Sequence, residues 1–142
     1  MNQPAEQLEP RVIWIDHQNV DLAWEAALPM LELAFDYQSN HTPESVLQDL
    51  QSNKALLWMS VLPDQILAAG VTWIDAYANG RVLNIAFGAG DMGELKRMLP
   101  YVIDYARFAE CVAIECHGRR GWVRELGKEG FDEISTTVRL EL

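Results

Sequence analysis

The chain is poor in the residue types that carry most metal and thiol chemistry: its 142 residues hold two cysteines and three histidines. Cys111 and Cys116 flank the apolar stretch VAIE in what reads as a buried strand, and a spacing of five along a strand turns side chains to opposite faces. That reading excludes a disulfide or a shared metal and leaves two core thiols. His17 and His41 stand in no ligand pattern, so no metal is expected. Positive charge is scarce as well. The formal net charge is −10, and within residues 1–71 only Arg11 and Lys54 oppose ten acidic side chains. Such a chain repels a nucleic-acid backbone rather than gathering on it. No apolar run approaches the roughly eighteen residues that would span a bilayer, so neither nucleic acid nor membrane is expected as a partner. The opening MNQPAEQLEP lacks the basic start and apolar centre of a secretory signal. It reads as a disordered leader over residues 1–10, ahead of a single domain over 11–142 with a cytoplasmic location.

What is present alternates between strand and helix signals. RVIWID, residues 11–16, is β-branched and aromatic and predicts a first strand. Apolar residues then recur at helical spacing from Val20 to Tyr37, with Pro29 placed to bend or divide the helix. Thr42 and Pro43 announce a second helix in HTPESVLQDLQSN. ALLWMSVLP, QILAAGVTWIDAY and RVLNIAF are separated by Pro63-Asp64 and Asn79-Gly80, which is turn chemistry and predicts an antiparallel meander. Glycines at 88, 90 and 93 lead into a long amphipathic helix from about Met92 to Ala109, with Pro100 inside it and with Asp91 and Glu94 at capping-box spacing. CVAIECH predicts a strand parallel to the one before that helix. RRGWVRELGKEG is a short helix, and FDEISTTVRLEL alternates as a closing strand.

Free amides at the end of a strand and the positive end of a helix dipole together make an anion site. The segment Phe87, Gly88, Ala89, Gly90, Asp91, Met92, Gly93 has that form, although Asp91 puts a carboxylate where an anion would sit. Two glycines in such a spacing equally turn a strand into a capped helix, which is the commoner outcome. Arg119 and Arg120 open a helix, where positive charge opposes the dipole; they suit a ligand phosphate or an acidic protein surface. Among acid/base candidates, His117 is of the residue type most often used as a general base, Glu115 shares its strand face at i and i+2, and Tyr105 and Tyr101 lie four apart on the long helix. Each has an ordinary packing or surface explanation.

The element order, the glycine turn and the ending RELGKEGFDEISTTVRLEL resemble the GNAT acetyltransferase superfamily over nearly the whole chain. GAGDM, LP, DYAR, C and GRRGW together are similar to a phage and prophage group of GNAT-like proteins, and GNAT-like chains also occur among internal virion proteins of short-tailed phages. The resemblance implies an α/β (α+β) fold of the GNAT-like acyl-CoA N-acyltransferase type, a mixed central sheet flanked by about four helices. It also implies an acetyl-CoA site on Phe87 to Gly93, with Arg119 and Arg120 near a phosphate. The sequence departs from the family at two positions: Ile85 stands where an Arg or Gln is usual, and Leu126 where a tyrosine acts as general acid. The leading expectation is therefore a phage-type GNAT-like protein whose acetyl-CoA chemistry is lost or weakened and which binds no cofactor. It would act through protein contacts, as a virion component or assembly factor or by self-association, in the host cytoplasm or the virion. The alternative is an active acetyl-CoA-dependent N-acetyltransferase on a basic amine, with His117, Tyr105 or Glu115 moving protons. The two differ in one structural requirement: an enzyme needs a gap between its fourth and fifth strands with backbone amides turned into it.

Overall fold

The first strand, β1 (Arg11–Ile15), ends where the Asp16 carboxylate accepts from the Gln18 amide at 2.9 Å and starts a single tight turn. A computed structural model describes residues 8–36 and 40–142. Most of the expected leader and the Tyr37 end of the first helix lie outside the described residues. Helix α1 (Val20–Phe35) runs through Pro29 undivided. A proline costs a helix one hydrogen bond, and here the stripe of Val20, Trp24, Ala27 and Leu31, all buried, holds both halves to the sheet. Helix α2 (Pro43–Gln51) opens with reciprocal bonds: Ser45 N donates to Thr42 Oγ1 at 3.1 Å and Thr42 N donates to Ser45 Oγ at 2.9 Å. Together these satisfy two otherwise orphaned amides.

The meander forms as its turn residues dictate: β2 (Leu56–Leu62), β3 (Gln65–Tyr77) and β4 (Gly80–Gly90) pair antiparallel in sequence order, and β1 adds antiparallel to β2. Helix α3 (Met92–Phe108) then crosses over, β5 (Cys111–Cys116) pairs parallel to β4, and α4 (Arg120–Gly127) follows. The sheet order is β1-β2-β3-β4-β5. One face carries α1 and α2 over Leu57, Met59, Ala69, Val71 and Phe87; the other carries α3 over Trp58, Ala68, Leu83, Ile85 and Ile114. This is the mixed sheet with helices on both faces that the element order implies.

Two expectations fail. Residues 131–142 form no strand: they lie beyond α4 without a ladder partner, and Ile134, Val138, Leu140 and Leu142 are exposed. Alternation supplied the pattern of a strand, but a strand exists only where a partner's backbone meets it. The two cysteines do not face opposite ways. The β4–β5 register shifts so that Arg81 opposes Cys111 and Val82 opposes Ala113. The extra residue, Val112, restores parity, and Cys111 packs with α3 while Cys116 lines a cavity against the same helix. Both thiols are free.

Candidate functional site

β4 is longer than its parallel partner, and that mismatch makes the site. Pairing to β5 ends at Ile85 and Cys116, whereas pairing to β3 continues through Phe87, Gly88, Ala89 and Gly90. Beyond Ile85 the two strands therefore part, and a bulge at Ala86 bends β4 there. The direction of the glycine amides follows from the ladder. Asp91 N donates to Leu67 O at 3.1 Å. In an antiparallel pair, bonded and non-bonded positions alternate, so residues 87 and 89 also turn their backbone groups to β3. Gly88 and Gly90 turn theirs the other way, into the space that β5 has left.

The first turn of α3 adjoins this fork. Asp91 caps it, accepting from Glu94 N at 2.9 Å, so its carboxylate holds one of the amides that an anion would use. The reciprocal half of the capping box is absent. Glu94 instead turns to the sheet, where it accepts from the buried Ser60 hydroxyl at 2.7 Å and from Arg97 Nε at 3.1 Å. The Ser60 bond, and then Arg97, hold the Glu94 carboxyl below its ordinary pKa. Arg97 also donates to Pro10 O at 2.6 Å, which ties α3 to the chain entering β1.

Two small cavities meet at the fork from opposite faces of the sheet. One, of about 40 Å³, is lined by Ala34 of α1 together with Phe87, Gly88, His117, Gly118, Arg119 and Trp122. The other, of about 50 Å³, lies on the α3 side among Trp58, Thr72, Met98, Cys116 and Leu126, and shares Phe87, Gly88 and Trp122 with the first. Trp122 is the wall between them. Its ring sits 3.5 Å from where a Gly88 Cβ would stand and 2.6 Å from where a Gly118 Cβ would stand, so both glycines admit the indole. Each cavity has room for water but is too small for a thioester arm; a continuous passage through the sheet requires Trp122 to swing away.

The structure brings Phe87, Gly88, His117 and Arg119 together around the first cavity. Ala89 and Gly90 continue the fork, Met92 and Gly93 lie in the first turn of α3, and Arg120 begins α4, exposed. His117 Nε2 lies 3.9 Å from Glu115 Oε2, close enough for ion pairing when the imidazole is protonated and too far for a hydrogen bond. Tyr105 does not join them. Its ring meets Trp58 edge-on at 5.7 Å in the core under α3. Burial pushes the Cys116 thiol up to about 11, so it is no nucleophile at neutral pH. On β3, Asp75 accepts from the amide of buried Asn84, the residue that pairs with Glu115. Asp75, then burial and Glu115, raise the Tyr77 hydroxyl above its ordinary pKa, which marks a locally negative strip.

The sequence reading missed Trp122 as a site residue; the nearby Gly118, which makes room for it, was the one local signal. No protein-family model matches the chain, and no curated protein matches it. Solved structures do. An aminoglycoside N-acetyltransferase in complex with CoA superposes with a TM-score of 0.74 at 11% identity, covering 99% of this chain and 99% of that one. A predicted acetyltransferase of Clostridium acetobutylicum with acetyl-CoA gives 0.70 at 14% identity over 93% and 96% of the two chains. A GNAT family acetyltransferase of Staphylococcus aureus gives 0.67 at 13% identity over 95% and 100%. The fold is that of the GNAT acyl-CoA N-acyltransferases.

Proposed function

We propose that this chain is an acetyl-CoA-dependent N-acetyltransferase acting on a basic amine. The observation that carries the reading is the parting of β4 from β5 beyond Ile85 and Cys116, with the Gly88 and Gly90 amides turned into the opening. It is the requirement that separates an enzyme from a contact protein of the same fold. The residues fit the cofactor in part. Gly88 and Gly90 would bond the amide-bearing arm, and the free amides of the first turn of α3 would meet the pyrophosphate beside Asp91, with Arg119 at the mouth of the neighbouring cavity. Bound acetyl-CoA would supply the acyl group as a thioester.

The chain's own residues would do the rest. The strip of Asp75 and Glu115 attracts a protonated amine. His117, at the edge of the cavity on the same face, would accept its proton. Leu126, buried at the usual donor position, offers the departing thiolate no proton, so turnover is slow.

Titration calorimetry with acetyl-CoA and with CoA tests the reading on the parent, Asp91→Asn and Trp122→Ala. Asn caps a helix as well as Asp does, so Asp91→Asn removes only charge and should tighten binding several-fold. Trp122→Ala opens the passage and should also tighten it. Absence of binding by all three at millimolar ligand overturns the proposal.

A second reading, the phage-type protein with lost or weakened acetyl-CoA chemistry acting as a virion component or assembly factor, is favoured by Leu126 and by the indole in the fork. Cofactor binding without thiol release in the presence of a panel of diamines and lysine peptides would select it.

A further inference from the structure

We infer that the outward face of α1 is a docking surface for a basic amphipathic helix of a partner protein. The inference is independent of acyl transfer. A helix on the surface of a globular protein ordinarily carries one apolar stripe, and α1 carries two. The first, Val20, Trp24, Ala27 and Leu31, is buried on the sheet. The second, Leu22, Ala26, Pro29 and Leu33, points to solvent, with Leu22 at 78% and Leu33 at 65% exposure. Its spacing of four, three and four is that of a coiled-coil seam, and it runs along α1 for about 16 Å.

Charge names the occupant. By helical geometry Asp21, Glu25, Glu32 and Asp36 all fall on one flank of the seam, and all four are exposed. Gln51 Nε2 donates to the Asp21 carboxylate at 2.7 Å, which places that flank on the α2 side. No lysine or arginine occurs between Arg11 and Lys54, and among the described residues Glu25, Glu32 and Asp36 meet no cation. The arrangement works against α1 itself. Asp21 with Glu25, and Glu32 with Asp36, are like-charge pairs at i and i+4, which destabilise a helix. The second pair also sits at the negative end of the dipole, with no basic residue in the last turn. Helix stability does not account for these carboxylates; a cationic partner does.

The same charges exclude the other occupants of an apolar helix face. A second copy of α1 would bring acid against acid across the seam, and an anionic bilayer surface or a nucleic-acid backbone would be repelled by the flank. A partner helix with bulky apolar residues along one stripe and lysine or arginine beside it answers both features. Its apolar side chains fill the saddle over Ala26 and Pro29, between Leu22 and Leu33, and its cations reach the four carboxylates. Pro29 adds an acceptor at the same place, because it has no amide to give the Glu25 carbonyl. The mode is an amphipathic helix laid on an apolar strip, and the contact belongs to the small, transient class of interfaces.

Fluorescence anisotropy of the full chain with a labelled three-heptad peptide, leucine at a and d and lysine at e and g, reads the outcome; a peptide with glutamate in place of lysine is its counterpart. The lysine peptide should bind, the glutamate peptide should not, and physiological salt should weaken the binding roughly tenfold from its low-salt value. Two variants separate this surface from the net charge of the molecule. Leu22→Asp with Leu33→Asp adds acid yet removes the seam, and should weaken binding about tenfold or more. Glu25→Lys with Glu32→Lys should transfer the preference to the glutamate peptide. All four side chains are exposed, so circular dichroism should be unchanged. Lysine-peptide binding that persists or tightens in the leucine pair overturns the inference, because net charge alone then attracts the peptide. Absence of binding by the parent at submillimolar peptide overturns it, as does a self-associated parent that the leucine pair converts to monomer, since a second copy then fills the face.

Discussion

Single side chains decide how α3 sits on the sheet. Ser60 is fully buried and spends its hydroxyl on Glu94, which also receives Arg97. A charged acceptor makes such bonds stronger than neutral ones, and the lowered Glu94 pKa expresses the same preference for the ionised form. The contribution is complete above the ordinary carboxylate range and is lost as pH falls through the lowered value. Glu94→Gln should therefore cost about 1.5 kcal/mol at neutral pH, and urea melts of variant and parent should converge in acid. A gap that persists at low pH would mean that Glu94 acts by packing instead.

At the scale of elements, the glycines separate into those that the backbone needs and those that it does not. Gly90 has a φ of 109°, and a Cβ there would stand 2.5 Å from Leu67 O. Gly121 lies inside α4 with nothing within 4 Å. Gly90→Ala should destabilise by more than about 1 kcal/mol, whereas Gly121→Ala should stabilise by about 0.5–1 kcal/mol; thermal melts distinguish the signs. The same division describes what the sequence reveals. Turns and caps are local chemistry, so the meander, the Thr42 cap and the Asp91 cap were legible in it. The bulges at Ala86 and Val112 were not, because a bulge is a relation between two strands. Parity reasoning about Cys111 and Cys116 failed for that reason. The closing strand failed likewise: FDEISTTVRLEL carries the period, and no backbone within the described chain meets it. The glycine segment was legible as a candidate, but the amide directions that turn it into a slot required the ladder. Trp122 became visible as a wall only once α4 was placed against Gly88.

Across the whole molecule, one sheet separates two apolar clusters, and neither is complete without it. Leu57 faces α1 and α2, Leu83 faces α3, and both are fully buried. Truncation of either to alanine should cost about 2–5 kcal/mol. Because they share the sheet, each variant should melt in one transition by circular dichroism and fluorescence alike; separated transitions would show that the two faces fold independently. The placement of the tryptophans gives the molecule a built-in optical probe. Trp24 is buried and Trp14 lies open to solvent, and neither lines the fork, whereas Trp58 lines only its α3 side. Trp122 stands in the fork itself, between two water-sized spaces. Anything that enters from either face must displace its indole, and the emission of that single ring would register the arrival without a label.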